Sequence, residues 1–169
     1  MKALILSADF FEDAELLTPY YRLKEVGIEV DVASFEKGKI TGKHGYSFEV
    51  DIAFKDVNPK DYDLLILPGG KAPERVRLDK NALAIAKHFF EENKVVASIC
   101  HGAQILISAD LVKGRKVTGW RGIQDDIKAA GAEVPDVEVV VDGNLVSSRE
   151  PSDLPSFNRE LMKKIGKNL

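Results

Sequence analysis

Short runs of apolar residues alternate with longer amphipathic segments along most of the chain. The runs have the length of buried strands, and the segments between them repeat apolar residues at helical spacing. The predicted strands are 3–7, 28–33, 64–67, 95–99 and 137–141, and the predicted helices are 13–26, 81–92, 102–109, 123–130 and 153–165, the last with Ser152 as N-cap. Continuously apolar strands separated by helices are typical of a parallel sheet covered by helices on both faces.

Three segments depart from this alternation. Pro19 falls inside the first helical segment, where its missing N–H is expected to kink the helix or displace its start. Residues 39–51 alternate polar and apolar side chains, which predicts a small hairpin outside the main sheet. The Asp-Gly-Asn sequence at 142–144 lies between two apolar runs and predicts a second hairpin with a tight turn.

Composition narrows the class of protein. The chain has 169 residues, 44% of them hydrophobic and 30% charged, which is a globular composition and predicts a single domain over residues 1–169. A net charge of −3 offers no broad basic face to nucleic acid or to an anionic membrane. No apolar run approaches the length of about 18 residues that a membrane span needs. One cysteine cannot form an internal disulfide, which favours a reducing compartment and hence the cytoplasm.

That cysteine follows a predicted strand directly. The apolar run 95–99 leads into Cys100, and a helical pattern begins immediately afterwards. Ser98 and Gly102 are small, so the helix can leave close to the strand, as in the nucleophile elbow of hydrolases. A thiol at a helix N-terminus faces unpaired N–H groups, which favour the thiolate. We therefore expect Cys100 to be a largely ionised nucleophile; the alternative is a small buried core residue.

Backbone N–H groups beside this cysteine could form an oxyanion site. His101 supplies one N–H, and its imidazole is a candidate general base, although the residue could simply begin the helix. Gly69 and Gly70 end the preceding strand, and the Gly70 N–H is the natural second donor, with an ordinary turn as the alternative. Three scattered histidines and one cysteine have no metal-ligand spacing, so neither a metal nor another cofactor is expected.

Glu12 opens the first predicted helix, in the acidic segment 12–15. Acidic residues there complement the helix dipole in any case. If Glu12 lies over the sheet edge near Cys100, partial desolvation would raise its pKa and let it donate a hydrogen bond to the thiolate. An acidic loop at this position also disfavours a bound flavin or nucleotide phosphate.

The sequence resembles the PfpI family of intracellular cysteine peptidases and deglycases, within the class I glutamine-amidotransferase-like superfamily. The segments that carry the resemblance are 12–16, 33–36, 42–45, 67–70, 73–74, 97–102, 139–144 and 147–149. The Cys-His-Gly elbow together with the upstream Pro-Gly-Gly is the most specific part. Ala103 stands where the family often has proline, and Trp120-Arg121 stands where it commonly has an aromatic residue followed by proline. The second position borders the inferred pocket. No histidine follows His101, which excludes the amidotransferase mechanism proper.

The resemblance implies a flavodoxin-like three-layer α/β/α sandwich with a mainly parallel sheet and small β-hairpin additions. It implies a reactive Cys100 beside His101, with Glu12 against the thiol and the Gly70 N–H at the oxyanion position. It also implies a homo-oligomer, commonly a hexamer built from dimers. In that assembly Glu74 of a neighbouring subunit would reach His101 and complete a Cys-His-Glu triad.

The expected function is therefore that of a cysteine-nucleophile enzyme acting on peptides or on small reactive carbonyls and glycation adducts. The activities that the resemblance implies are peptide hydrolysis, deglycation and a glyoxalase III-type conversion of methylglyoxal to lactate. The alternative is a non-enzymatic redox-sensing or stress-protective protein that uses the same cysteine, because an activated thiol is also readily oxidised.

Overall fold

The structure, a computed structural model, describes residues 1–167, so positions 168–169 of the predicted domain lie outside the described residues. Nine strands lie within these residues: β1 (Lys2–Leu6), β2 (Glu29–Ser34), β3 (Gly38–Thr41), β4 (Ser47–Val50), β5 (Ile52–Ala53), β6 (Leu64–Leu67), β7 (Val95–Ile99), β8 (Val140–Asp142) and β9 (Leu145–Ser148). The described part of the chain also contains the α-helices α1 (Asp13–Glu25), α2 (Ala72–Val76), α3 (Lys80–Glu91), α4 (Ala103–Ser108), α5 (Gln124–Ala129) and α6 (Leu154–Lys164).

Seven strands form the central sheet in the order β5-β2-β1-β6-β7-β9-β8. Every neighbouring pair is parallel except β8 and β9, which form the hairpin predicted at 142–144. Strands β3 and β4 form a separate antiparallel ribbon, which is the hairpin predicted at 39–51. The predicted flavodoxin-like fold with a mainly parallel sheet is therefore confirmed.

Helices cover the sheet in two groups, since α1 contacts α6 while α2, α3 and α5 each contact α4. The central strands β1 and β6 are buried almost completely, which accounts for their continuously apolar sequences. No helix within residues 1–167 is both long and apolar enough to cross a membrane.

Three local predictions are corrected. Helix α1 runs through Pro19, because burial of Leu16, Pro19 and Leu23 against the core offsets the backbone hydrogen bond that proline cannot donate. Asp153, not Ser152, occupies the N-cap position of α6, and the Ser152 hydroxyl donates to Glu150 Oε1 at 2.9 Å instead. The predicted strand 137–141 is shorter, since only its last two residues pair within β8.

The loops that follow β1 and β6 are joined at the carboxyl edge of the sheet. The Lys71 N–H donates to the Phe10 carbonyl at 2.8 Å, and the Glu12 N–H donates to the Gly69 carbonyl at 3.2 Å. Gly70 has φ +78°, and a Cβ atom there would overlap the backbone of Phe10 and Glu12. Glycine at position 70 therefore allows the two loops to meet directly above the ends of β1 and β6.

The turn from β7 into α4 also depends on a glycine. Residues 100–102 form one turn of 3-10 helix, and Gly102 packs against the end of β6. A Cβ atom at position 102 would overlap the Leu67 carbonyl oxygen. The sequence predicted a small residue here, and the structure shows the reason: α4 begins in contact with the neighbouring strand β6.

We expect Gly102→Ala to lower the free energy of unfolding by about 2 kcal/mol or more, because the added methyl group must displace backbone. Gly114→Ala is the control: its Cβ would meet nothing within 4 Å, and only its φ of +74° opposes the change, which costs about 1 kcal/mol. Chemical denaturation of both variants measures the difference. Equal stability of Gly102→Ala and the wild type would contradict this account of the turn.

Candidate active site

Cys100 lies at the tip of the turn between β7 and α4, in a left-handed backbone conformation with φ +60°. This region is strained for a residue with a Cβ atom, by about 1–2 kcal/mol. The Cys100 carbonyl accepts a hydrogen bond from the Trp120 N–H at 3.1 Å. The side chain is buried, with 7% of the residue exposed, but its sulfur borders a cavity.

His101 turns its ring back towards the thiol, so that Cys100 Sγ and His101 Nδ1 lie 3.3 Å apart. Side chains of consecutive residues point apart on a regular helix or strand, and the irregular turn makes this contact available. The ring also stacks on Trp120, with centroids 6.2 Å apart and planes at 28°. Burial lowers the pKa of His101, while the charge of Glu74 raises it. A neutral imidazole in this place can accept the thiol proton.

The carboxyl group beside the thiol belongs to Glu15, which is fully buried in the first turn of α1. Its Oε2 accepts a hydrogen bond from the Gly69 N–H at 2.8 Å. A Cβ atom added to Gly69 would meet Glu15 Oε2 at 2.5 Å and Cys100 Cβ at 2.7 Å, so both side chains flank one point. The other oxygen, Oε1, is buried and has no hydrogen-bond partner among residues 1–167.

Burial raises the pKa of Glu15 to about 8, and the negative charge of Glu12 raises it further. The Gly69 N–H, which donates to the carboxylate, and the adjacent Cys100 thiol lower the pKa of Glu15, but burial outweighs them. Glu15 is therefore mainly a neutral carboxylic acid at neutral pH. A protonated carboxyl group can donate a hydrogen bond, which a carboxylate cannot.

The thiol itself is harder to ionise than its position at a helix N-terminus suggests. Burial, followed by the charge of Glu15, raises the pKa of Cys100 to about 12, although the N–H groups of Gly70 and His101 lower it. The structure does not support a largely ionised resting thiol, because desolvation outweighs the two N–H groups. The contribution from Glu15 requires its carboxylate form, so it is small below about pH 8.

Glu12 was expected to contact the thiol, and the structure corrects this. Its Oε2 pairs with Lys43 Nζ at 2.5 Å, and its Oε1 lies 3.4 Å from His44 Nε2. Glu12 precedes α1, and Glu15, three residues later, projects from the same side of the helix beneath the Gly-Gly turn. The sequence did carry a signal for Glu15, since this acidic residue falls in the buried helical stripe that continues through Leu16 and Pro19.

These groups open into a cavity of about 630 Å³ at the carboxyl edge of the sheet. Its lining combines acidic and basic side chains with aromatic and apolar ones around the turn at Cys100. The lining residues are Glu12, Glu15, Glu74, Lys43, Lys71, Gly70, Cys100, His101, Gln104, Trp120, Ile123 and Pro151. Trp120 thus borders the cavity, where it was predicted. Glu74 lines the cavity of its own chain, and its approach from a neighbouring subunit stays a prediction.

One group of side chains within residues 1–167 has the spacing of metal ligands, namely Glu12, Asp13 and His44. Both carboxylate oxygens of Asp13 already accept N–H groups, from His44 and Tyr46, at 2.9 Å each. Glu12 is paired with Lys43. The three side chains lie close together because Glu12 and Asp13, at the start of α1, bind the turn that connects β3 and β4.

The fold and the elbow define an α/β protein with a cysteine nucleophile motif at the carboxyl edge of its sheet. The sequence pattern of the DJ-1/PfpI family matches residues 1–164, and this chain belongs to that family. A deglycase of Thermococcus kodakarensis is 63% identical over 163 residues, covering 96% of this chain and 98% of that protein. YraA of Bacillus subtilis, named as a candidate cysteine protease, is 46% identical over 160 residues, covering 94% and 95% respectively.

Solved structures agree with this assignment. A two-domain protein from Anabaena variabilis, with DJ-1/ThiJ/PfpI-like and ferritin-like domains, superposes with a TM-score of 0.97 at 37% identity. The match covers 99% of this chain and 50% of that protein. The chain described here therefore corresponds to half of that longer protein.

The raised pKa of Glu15 predicts how stability depends on pH. The unfolded carboxyl titrates near its ordinary value of 4.5 and the folded one near 8. Between these values the folded state holds the additional proton, so the free energy of unfolding falls as pH rises. Glu15→Gln has no carboxyl group to titrate, so its free energy of unfolding should not fall in this way. Between these two pH values the variant should therefore become more stable relative to the wild type, by up to about a few kcal/mol.

Urea denaturation on both sides of this pH range measures the effect. Glu91→Gln, at the exposed end of α3, is the matched control and should follow the wild type. A constant stability difference between Glu15→Gln and the wild type across the range would contradict a raised pKa at Glu15.

Proposed function

We propose that this protein is a cysteine-dependent enzyme that acts on reactive carbonyl compounds and on the glycation adducts they form. The observation that carries the proposal is the contact of 3.3 Å between Cys100 Sγ and His101 Nδ1 at the border of the cavity. A nucleophile and a base within reach of each other are the first requirement for covalent catalysis.

In the first step the Cys100 thiol adds to an aldehyde carbon of the substrate. A sulfur–carbon bond forms as the S–H bond breaks, His101 accepts the proton, and the carbonyl π electrons move to the oxygen. The N–H groups of Gly70 and His101, which face the sulfur, are placed to donate to that oxygen. Return of the proton from His101 gives a neutral hemithioacetal, so a buried thiol need not be ionised at rest.

An α-oxoaldehyde such as methylglyoxal can proceed further without an external oxidant. Transfer of the aldehyde hydrogen to the neighbouring carbon as a proton, with electron rearrangement, oxidises the first carbon and reduces the ketone. The resulting thioester is hydrolysed by water to lactate and free thiol. Glu15, neutral near pH 7, and His101 are the groups positioned to donate and accept protons in this sequence.

The names of close relatives favour deglycation as the biological reaction. The Thermococcus kodakarensis relative is a deglycase and shares 63% of aligned residues with this chain. Removal of an early adduct from an amine uses the same carbon: the sulfur–carbon bond forms as the carbon–nitrogen bond breaks. The thiol proton passes through His101 to the leaving amine, and the same hemithioacetal results. The carboxylates and lysines that line the cavity suit polar, amine-bearing substrates.

Peptide hydrolysis is a second candidate, favoured by the position of Glu74. Its charge acts on His101 across the cavity, and a histidine held by a carboxylate can protonate a leaving amine. The Bacillus subtilis relative, named as a candidate cysteine protease, agrees with this reaction. We propose that a second subunit in a homo-oligomer brings its own Glu74 to complete the arrangement.

The wild type should convert methylglyoxal to lactate, and Cys100→Ser should lower the rate by a factor of about 10³ or more because the nucleophile is lost. His101→Asn should also lose activity, while His88→Asn, on α3 outside the cavity, is the matched control. A parallel assay with a fluorogenic peptide compares the rate of peptide hydrolysis with the rate of methylglyoxal conversion. Absence of turnover on both substrates, with peroxide still oxidising Cys100, would contradict the enzyme and favour a redox sensor.

A further inference from the structure

Arg149 ends the Ser147-Ser148-Arg149 segment, whose role the reaction above does not explain. Its guanidinium binds both carboxylate oxygens of Asp153, from Nε to Oδ2 at 2.9 Å and from Nη2 to Oδ1 at 3.1 Å. The Arg149 backbone N–H donates to the same Oδ2 at 3.1 Å. Asp153 is almost fully buried, so this two-pronged pairing fixes the orientation of the arginine.

The third nitrogen of the guanidinium reaches a different segment. Nη1 donates to Asp136, both to Oδ1 at 3.1 Å and to the backbone carbonyl at 3.4 Å, in the loop between α5 and β8. The same Oδ1 accepts from Gln124 Nε2 at 3.1 Å, and Gln124 Nε2 also donates to the Gly119 carbonyl at 3.3 Å. Three segments, 119–124, the loop at Asp136 and 149–153, are thereby joined by consecutive hydrogen bonds.

This chain of contacts ends at one wall of the cavity. Gly119 precedes Trp120, Gln124 follows Ile123, and Pro151 lies two residues after Arg149; Trp120, Ile123 and Pro151 all line the cavity. Trp120 stacks on His101 and donates its N–H to the Cys100 carbonyl. The position of this wall therefore bears directly on the elbow.

We propose that Arg149 is a positioning residue that holds the wall formed by Trp120, Ile123 and Pro151 against the elbow, acting through Asp136 and Gln124. Its function in the reaction is to fix where the substrate sits relative to Cys100. Among side chains, only the planar guanidinium group of arginine has the three nitrogens needed to bind Asp153 through two of them and Asp136 through the third.

If Arg149 served only stability, its buried pairing with Asp153 would suffice, and the contacts of Asp136 and Gln124 would not be needed. The Asp136 side chain is 65% exposed, and exposed ion pairs contribute about 0–1 kcal/mol to stability. Replacing Asp136 or Gln124 should therefore leave the protein folded while releasing the loop that carries Trp120. These two positions test positioning separately from the buried Arg149–Asp153 pair.

Trp120 is the only tryptophan, so its fluorescence reports on the wall directly. Gln124→Met and Asp136→Ala should increase quenching by acrylamide and shift the emission to longer wavelength as the ring leaves His101. Asp125→Ala, next to Gln124 and fully exposed, is the matched control and should match the wild type. Arg149→Lys, which keeps the charge but not the fork, should resemble the first two variants.

The kinetic readout rests on the proposed function. For methylglyoxal, the KM of Gln124→Met and Asp136→Ala should rise about fivefold, as for the loss of one hydrogen bond, with little change in kcat. Unchanged fluorescence and KM in both folded variants would overturn the proposal, as would equal changes in Asp125→Ala. If the wild type does not turn over, the proposed function fails, and fluorescence alone then decides the role of Arg149.

Discussion

A thiol and a carboxyl group buried side by side cannot both ionise readily, and the active site is arranged around this constraint. Glu15 has one N–H donor, from Gly69, while the N–H groups of Gly70 and His101 lower the pKa of Cys100. For both groups, burial raises the pKa by more than these N–H donors lower it. The carboxyl group of Glu15 therefore keeps its proton at neutral pH. The site thus holds a proton donor and a nucleophile together, with His101 as the adjacent acceptor.

The surrounding backbone makes this arrangement available. Gly70 lets the loops after β1 and β6 meet, which brings Glu15 under the same turn that supplies its N–H partner. Gly102 lets α4 start against β6, which lifts Cys100 into its strained conformation above the sheet. The strain and the burial of polar groups are offset by the apolar core of the central strands, which is nearly inaccessible to solvent.

Much of this could be predicted from local pattern. Continuous apolar runs predicted the parallel strands, and the strand–Cys–helix sequence predicted the elbow, because both signals lie within a few residues. Local pattern gave only a weak preference between Glu12 and Glu15, since both fit an acidic first turn and only the helical stripe through Leu16 and Pro19 favours Glu15. That choice depends on the pairing of Glu12 with Lys43 from the β3–β4 ribbon. Ser152 was assigned as a cap for the same reason, since the pairing of Asp153 with Arg149 is equally invisible locally.

The protonation state of Glu15 is the most direct test. Infrared spectra of the wild type and of Glu15→Gln, recorded from below to above about pH 8, report the carbonyl stretch of a protonated carboxylic acid. We expect a band that is present at neutral pH, disappears with a midpoint near 8, is absent in Glu15→Gln and persists in Glu12→Gln. A wild type without this band at neutral pH, or a band lost only in Glu12→Gln, would contradict it.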